Sequence, residues 1–178
     1  YGIMGIEKGK PAAAQLVLSE KDRRSLGEAG AVNAGLSREG LLYFGRHDLL
    51  RPPKGTARVF VAANRVLREE LARVPSNRIA AGLDDAARFA PAKGGRAVLY
   101  LQLVRPDLAY LDRAVRLCAA TGMELVVLSS GNPFPITVSG LARAGLLAFS
   151  DTEESNRQMG RCLNGEFEPK TGGTLRLG

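Results

Sequence analysis

The chain has no tryptophan, one histidine and two cysteines among its 178 residues. The lone histidine, His47, excludes a metal site built from several histidines. Two cysteines are too few for a disulfide framework, and Cys118 and Cys162 lie in apolar, helix-like surroundings. We therefore expect both to be small buried hydrophobic residues. No metal and no cofactor are predicted.

The sequence also lacks any run of about 18 apolar residues, so no membrane span is expected. Its first ten residues have no basic start followed by an apolar stretch, which argues against a signal peptide. The formal net charge of +7 is spread over many segments without a block of like charges. This spread favours a solvated basic surface. Because no stripe mixes aromatic with basic residues, no nucleic-acid partner is expected.

A strong structure breaker, Arg51-Pro52-Pro53-Lys54-Gly55, divides the chain into two parts. Neither proline can donate a backbone hydrogen bond, and both restrict the chain. We interpret residues 1–55 as an N-terminal linker or partial domain, with short strands possible over 13–18 and 41–45. Residues 56–170 are predicted to form the main domain, and residues 171–178 a tail.

The main domain alternates short apolar runs with segments of helical period. The predicted strands cover 58–62, 78–81, 97–104, 124–128 and 146–149. The predicted helices cover 65–74, 83–90, 107–120, 138–144 and 152–163, with a loop at 129–135. This order predicts an α/β fold: a doubly wound five-stranded parallel sheet of receiver (flavodoxin-like) topology, with an N-terminal extension.

Three stretches carry a family resemblance. They are LQLVRPD, ELVVLSS and GLARAGLLAFSDTEESNRQMGRCLNGE, and their order and spacing agree with one family over residues 58–166. That region resembles the receiver domains of two-component response regulators. A working receiver holds Mg²⁺ with an acidic pair after the first strand. It also needs an aspartate at the end of the third strand and a lysine after the fifth.

Most of these groups are replaced in this chain. Ala62 and Ala63 stand at the acidic pair, Gln102 at the phosphoacceptor and Ser150 or Asp151 at the lysine, while Ser129 keeps the hydroxyl position. An amide cannot form an acyl phosphate, and Mg²⁺ prefers carboxylate ligands. We therefore expect a degenerate phosphorylation site, and a protein that is not an enzyme.

A narrower resemblance adds the stretch GIEKGKPAAAQLVLSEKD, which precedes the receiver-like part. The chain resembles the middle region of the cyclic-di-GMP-binding cellulose-biosynthesis protein E family. The resemblance implies a non-catalytic regulatory or scaffolding module of a cellulose-secretion system. Its expected place is the cytoplasm, peripheral to the bacterial inner membrane. Its expected partners are other protein subunits, with a homodimer through residues 146–163.

In that family the main dinucleotide-binding motif, RxxD, lies in a following domain, and no RxxD occurs here. Cyclic di-GMP binding is therefore expected only together with such a domain. Arg105, Arg113 and Arg143 are the candidate ligand-binding residues of this chain.

Two alternatives remain open at this level. The first is a sensor that binds cyclic di-GMP or another nucleotide directly, suggested by the net charge and the loops at the strand ends. The second is a CoA-binding, Rossmann-like domain of the acyl-CoA synthetase type, suggested by the pattern VVLSSG. The glycine-rich turn that a Rossmann unit needs is missing after Val61.

Overall fold

The computed structural model describes residues 34–172, and these fall within one compact unit that begins at Ala34. The strand expected over residues 13–18 lies outside the described residues. Residues 34–39 are helical. Within the described range, no helix is both long and apolar enough to cross a membrane.

Seven strands and six α-helices follow in the described part. The strands are β1 (Leu42–Phe44), β2 (Ala57–Val61), β3 (Asn77–Ile79), β4 (Ala97–Leu103), β5 (Glu124–Ser129), β6 (Gly145–Leu147) and β7 (Lys170–Thr171). The helices are α1 (His47–Leu50), α2 (Arg65–Leu71), α3 (Leu83–Ala86), α4 (Leu108–Thr121), α5 (Phe134–Val138) and α6 (Glu153–Leu163). A 3₁₀ turn, Ala87–Phe89, continues α3.

The strands form one mostly parallel sheet in the order β3-β2-β4-β5-β6-β1-β7. Strands β2 to β6 are mutually parallel, and their order is the one that flavodoxin-like sheets have. The expected count of five strands is too low. Strand β1 adds to β6 in the antiparallel sense, and β7 adds to β1 in parallel.

Helices cover both faces of this sheet, so the expected α/β class is confirmed. The alternation along β4 explains how: Val98 and Tyr100 join the core beneath α2 and α6, whereas Leu99 and Leu101 join the core beneath α3 and α4. All seven residues of β4 are buried. A strand buried on both faces reads as a continuous apolar run, which is why this one was visible in the sequence.

The segment before the proline pair is part of the same sheet. Tyr43 of β1 and Leu50 of α1 are buried in the core beneath α2 and α6. The Tyr100 hydroxyl of β4 donates a hydrogen bond to the carbonyl oxygen of Leu49. Residues 42–50 therefore belong to the same unit as the main domain, which was expected to begin at residue 56. The proline pair lies inside this unit, directly before a turn at Lys54-Gly55.

One helix lies elsewhere than predicted. A helix was expected over 138–144 after a loop at 129–135, but α5 occupies Phe134–Val138 and the following residues are irregular. Prolines 133 and 135 suggested a loop because proline breaks a helix interior. In the first turn, however, the missing N–H has no intrahelical partner to lose, so proline is tolerated there.

Helices α2 and α6 approach each other closely because Gly160 has no side chain. A Cβ atom built on Gly160 would lie 2.5 Å from the Cβ of Glu70 and 3.4 Å from Leu67 Cδ1. Glu70 is itself buried, and its Oε2 finds no hydrogen-bond partner among the described residues. The contact therefore leaves no room for even one added methyl group.

We expect Gly160→Ala to lower the free energy of unfolding by about 1–3 kcal/mol, since the helices must separate to admit the methyl group. Gly35→Ala is the matched control. It also lies in a helix, and nothing in the described part of the chain comes within 4 Å of a Cβ placed there. Chemical denaturation measures both variants. Equal stability of Gly160→Ala and the wild type would contradict the close packing.

Candidate functional site at the carboxyl edge of the sheet

The side chain of Gln102 lies at the centre of the carboxyl edge of the parallel strands and is 3% exposed. Its Oε1 accepts a hydrogen bond of 2.8 Å from the backbone N–H of Asn64, which caps α2. Its Nε2 donates to Ser130 Oγ at 2.8 Å and to Asn156 Oδ1 at 2.7 Å. Both ends of the amide are thus occupied by neighbouring elements.

Asn156 connects this cluster to the start of α6, and it is fully buried. Its Nδ2 donates to Asp151 Oδ1 and to the carbonyl oxygen of Thr152, both at 2.9 Å. Thr152 caps α6 by accepting from the backbone N–H of Ser155 at 3.1 Å. We call Asn64, Gln102, Ser130 and Asn156 the amide network.

The predicted positions of the degenerate phosphorylation site are distributed around this network. Ala62 and Ala63 follow β2, and their carbonyl oxygens each accept a hydrogen bond of 2.9 Å from Arg68 Nη1. Ser129 is the last residue of β5 and is buried, but the next residue, Ser130, makes the contact with Gln102. Ser150 bonds Ser155 instead, with 2.8 Å between the two hydroxyl oxygens.

The carboxylates near the network already accept hydrogen bonds at the starts of helices. Asp107 caps α4 by accepting from the backbone N–H of Tyr110 at 3.0 Å, as its position in the sequence predicts. Asp151 is bonded to Asn156. In residues 34–172, no group of three or more acidic, histidine or cysteine side chains is placed to hold a metal ion.

Three large apolar side chains on segments that follow the parallel strands remain exposed. Leu108 follows β4, Phe134 follows β5 and Phe149 follows β6, with 38%, 55% and 53% of their surfaces accessible. Phe149 also has a φ of 62°, which is uncommon for a bulky residue and costs backbone strain. We call these three residues the apolar rim.

The three candidate arginines do not converge. Arg105 follows β4 at the carboxyl edge, Arg113 lies on α4 beside Asp84, and Arg143 precedes β6 at the opposite edge. All three are exposed. The structure therefore does not bring them together as one site for a dinucleotide.

The amino edge of the sheet carries a closed ring of four charges. Arg46 lies 2.7 Å from Asp48 and 3.2 Å from Glu124, while Arg96 lies 3.3 Å from Asp48 and 2.8 Å from Glu124. The hydrogen bond from Arg46 lowers the pKa of Asp48 to about 2. Because the ring is exposed, we expect it to fix the local geometry and to add little to the free energy of unfolding.

A cavity of about 350 Å³ opens beside this ring. Its apolar wall consists of Leu49, Val115, Cys118, Leu125 and Leu141. Arg46, Glu124 and Arg143 supply its charged groups. Burial raises the pKa of the Cys118 thiol to about 11, so at neutral pH this cysteine belongs to the apolar wall and is a poor nucleophile. Burial also raises the pKa of the Cys162 thiol to about 11, in agreement with its expected role as a buried hydrophobic residue.

Comparison with known proteins gives a fold and no family. No family model matches the chain, and no curated protein sequence matches it. A fungal multi-domain glycoside hydrolase family 3 β-N-acetylglucosaminidase, in which a GCN5-related glucosamine N-acetyltransferase region exists, aligns with a TM-score of 0.64 at 15% identity. The alignment covers 85% of this chain and 19% of the glucosaminidase chain.

Two further solved structures align in the same way. A glycoside hydrolase family 3 β-N-acetylglucosaminidase from Paenibacillus sp. strain FPU-7 has a TM-score of 0.58 and 14% identity, over 93% of this chain and 36% of that one. The β-glucoside phosphorylase BglX has a TM-score of 0.52 and 14% identity, over 85% of this chain and 31% of the phosphorylase. The chain thus spans a fifth to about a third of these proteins, and at such identities the likeness concerns the fold alone.

We expect Gln102→Ala to destabilise the protein by about 2–4 kcal/mol, because it leaves the Asn64 N–H and the Asn156 side chain without their buried partner. Arg105→Ala is the control, since Arg105 is exposed at the same edge and makes no ion pair in the described range. Urea unfolding compares the two. If both variants were as stable as the wild type, the amide network would not hold the edge together.

Proposed function

We propose that this chain provides a non-catalytic α/β interaction domain of a longer protein. The observation that supports this most directly is the amide network. In doubly wound sheets the reactive groups lie at the carboxyl edge, because the strand ends and the helix starts meet there. Here that centre is filled by Gln102, whose amide is neutral and bonded at both ends.

The surroundings of β2 support the same proposal. A phosphoryl-transfer site of the receiver kind requires a divalent cation next to the end of this strand. In this chain the Arg68 guanidinium donates to the carbonyl oxygens of Ala62 and Ala63. A fixed positive charge at that point disfavours a bound metal ion. Since alanines replace the acidic pair, no carboxylate at these two positions compensates that charge.

The proposal predicts that the protein forms no aspartyl phosphate. Incubation with acetyl phosphate and Mg²⁺ should leave the intact mass unchanged, since Gln102 is an amide and the nearby carboxylates in residues 34–172, Asp107 and Asp151, already accept hydrogen bonds. An authentic receiver domain, treated in parallel, serves as the positive control. A phosphoryl adduct that hydroxylamine removes and that maps to Asp107 or Asp151 would refute the proposal.

The regulatory setting of the domain rests on the family resemblance alone. We propose, from that resemblance, contacts with subunits of a cellulose-secretion system at the cytoplasmic face of the inner membrane, and pairing of two copies through residues 146–163. Dinucleotide binding by this chain alone has little support, because Arg105, Arg113 and Arg143 lie apart. The CoA-binding alternative stays a prediction.

A second candidate is a carbohydrate-contacting domain of a larger carbohydrate-active protein. The compared structures whose TM-scores exceed 0.5 act on β-linked N-acetylglucosaminides or glucosides, and this fold is a fraction of each. The apolar rim supplies the matching chemistry. Phe134 and Phe149 are exposed on segments that follow strand ends, and exposed aromatic rings can pack against the C–H surfaces of sugar rings.

This candidate predicts weak binding of chitobiose or cellobiose. At about 10 mM, either sugar should shift the NMR resonances of the apolar rim. Phe134→Ala should reduce the shifts. Val138→Ala is the control, since Val138 is equally exposed on α5 but does not directly follow a strand end. Absence of any shift at the rim with both sugars would dispose of the carbohydrate candidate and leave the protein-contact proposal standing.

A further inference from the structure

We infer that the cavity at the amino edge of the sheet binds a small amphipathic molecule with one anionic head group. This inference concerns the edge opposite the amide network and does not depend on the proposed function. The cavity of about 350 Å³ lies within the size range of small-molecule sites. At roughly 30 Å³ for each water-sized group, it admits about ten non-hydrogen atoms.

The wall explains why the ligand must be partly apolar. Val115 and Cys118 lie on the inner side of α4, and Leu125 lies on β5. Leu49 lies on α1, and Leu141 lies between α5 and β6. Leu49 and Cys118 are each only 6% exposed. A polar ligand would lose hydration against these side chains without gaining hydrogen bonds, whereas an alkyl or aryl group would bury apolar surface.

The charges explain why the head group must be anionic. Arg46 and Glu124 belong to the closed ring, in which two arginines compensate two carboxylates. Both oxygens of Glu124 are used, one by Arg46 and one by Arg96. Arg143 makes no ion pair within residues 34–172 and is therefore the uncompensated cation of the cavity.

The structure also fixes the expected orientation. The cavity's apolar wall reaches α4, while Arg143 precedes β6 and is exposed. The head group would contact the Arg143 guanidinium at the solvent side, where two parallel N–H groups match a carboxylate. The tail would lie along Val115 and Leu141.

Octanoate is a suitable probe, because it combines one carboxylate with an alkyl chain and has about ten non-hydrogen atoms, which the cavity volume admits. Titration followed by ¹H–¹⁵N NMR should give a dissociation constant at or below about 1 mM, with shifts centred on Val115, Cys118 and Leu141. Octylammonium, which has the same tail and the opposite charge, should bind at least about tenfold more weakly.

Two pairs of variants separate the charge from the cavity. Arg143→Ala should weaken octanoate binding about tenfold, whereas Arg113→Ala, an arginine of the neighbouring groove, should not change it. Val115→Phe should abolish binding by filling the cavity, whereas Leu117→Phe, which lies on the same helix but in that other groove, should not. Circular dichroism and thermal unfolding verify that each variant is folded.

Three results would overturn the inference. One is the absence of shifts at the cavity with octanoate at several millimolar. Another is equal affinity for octanoate and octylammonium, which would leave an apolar cavity without selectivity for anions. The third is unchanged binding in folded Arg143→Ala or Val115→Phe protein, which would place the ligand elsewhere.

Discussion

The hydrogen bonds of the Gln102 amide determine how the carboxyl edge of this sheet is built. Gln102 extends from the central strand, and it joins the start of α2, the loop after β5 and the start of α6. A buried amide that lacked these partners would cost about 1–3 kcal/mol for each unpaired group. The three segments are therefore held in one arrangement around the buried Gln102 side chain.

The sequence predicts the centre of the fold better than its margins. Strand β4 and helix α4 were predicted closely, since β4 is a continuous apolar run and α4 begins at the Asp107 cap and ends at Gly122, whose φ is 79°. Strand β1 lies within the short strand considered possible over residues 41–45, but β7, with two residues, is too short to show a period. Their membership in the sheet is set by tertiary pairing, which short-range patterns do not encode.

The same limit applies to the candidate site. Gln102 and Ser150 could be located because they stand at the ends of predicted strands. Asn156 and Ser130 were missed, because they lie 54 and 28 residues from Gln102 and their meeting depends on how α6 and the β5 loop pack against β4. A polar residue inside a helix that is otherwise apolar on one face, as Asn156 is, was the one signal available.

The two edges of the sheet differ in chemistry, and β5 runs between them. Its first residue, Glu124, belongs to the ring of charges, and its last, Ser129, precedes the Ser130 contact to Gln102. Coupling between distant sites requires an element with two alternative arrangements. Strand β5 is paired on both sides, with β4 and with β6, and the four residues Val126 to Ser129 are buried. Such a strand has no second arrangement at low cost, so a molecule at the amino edge would leave the carboxyl edge unchanged. We therefore expect binding at one edge to leave the hydrogen bonds of the other unchanged.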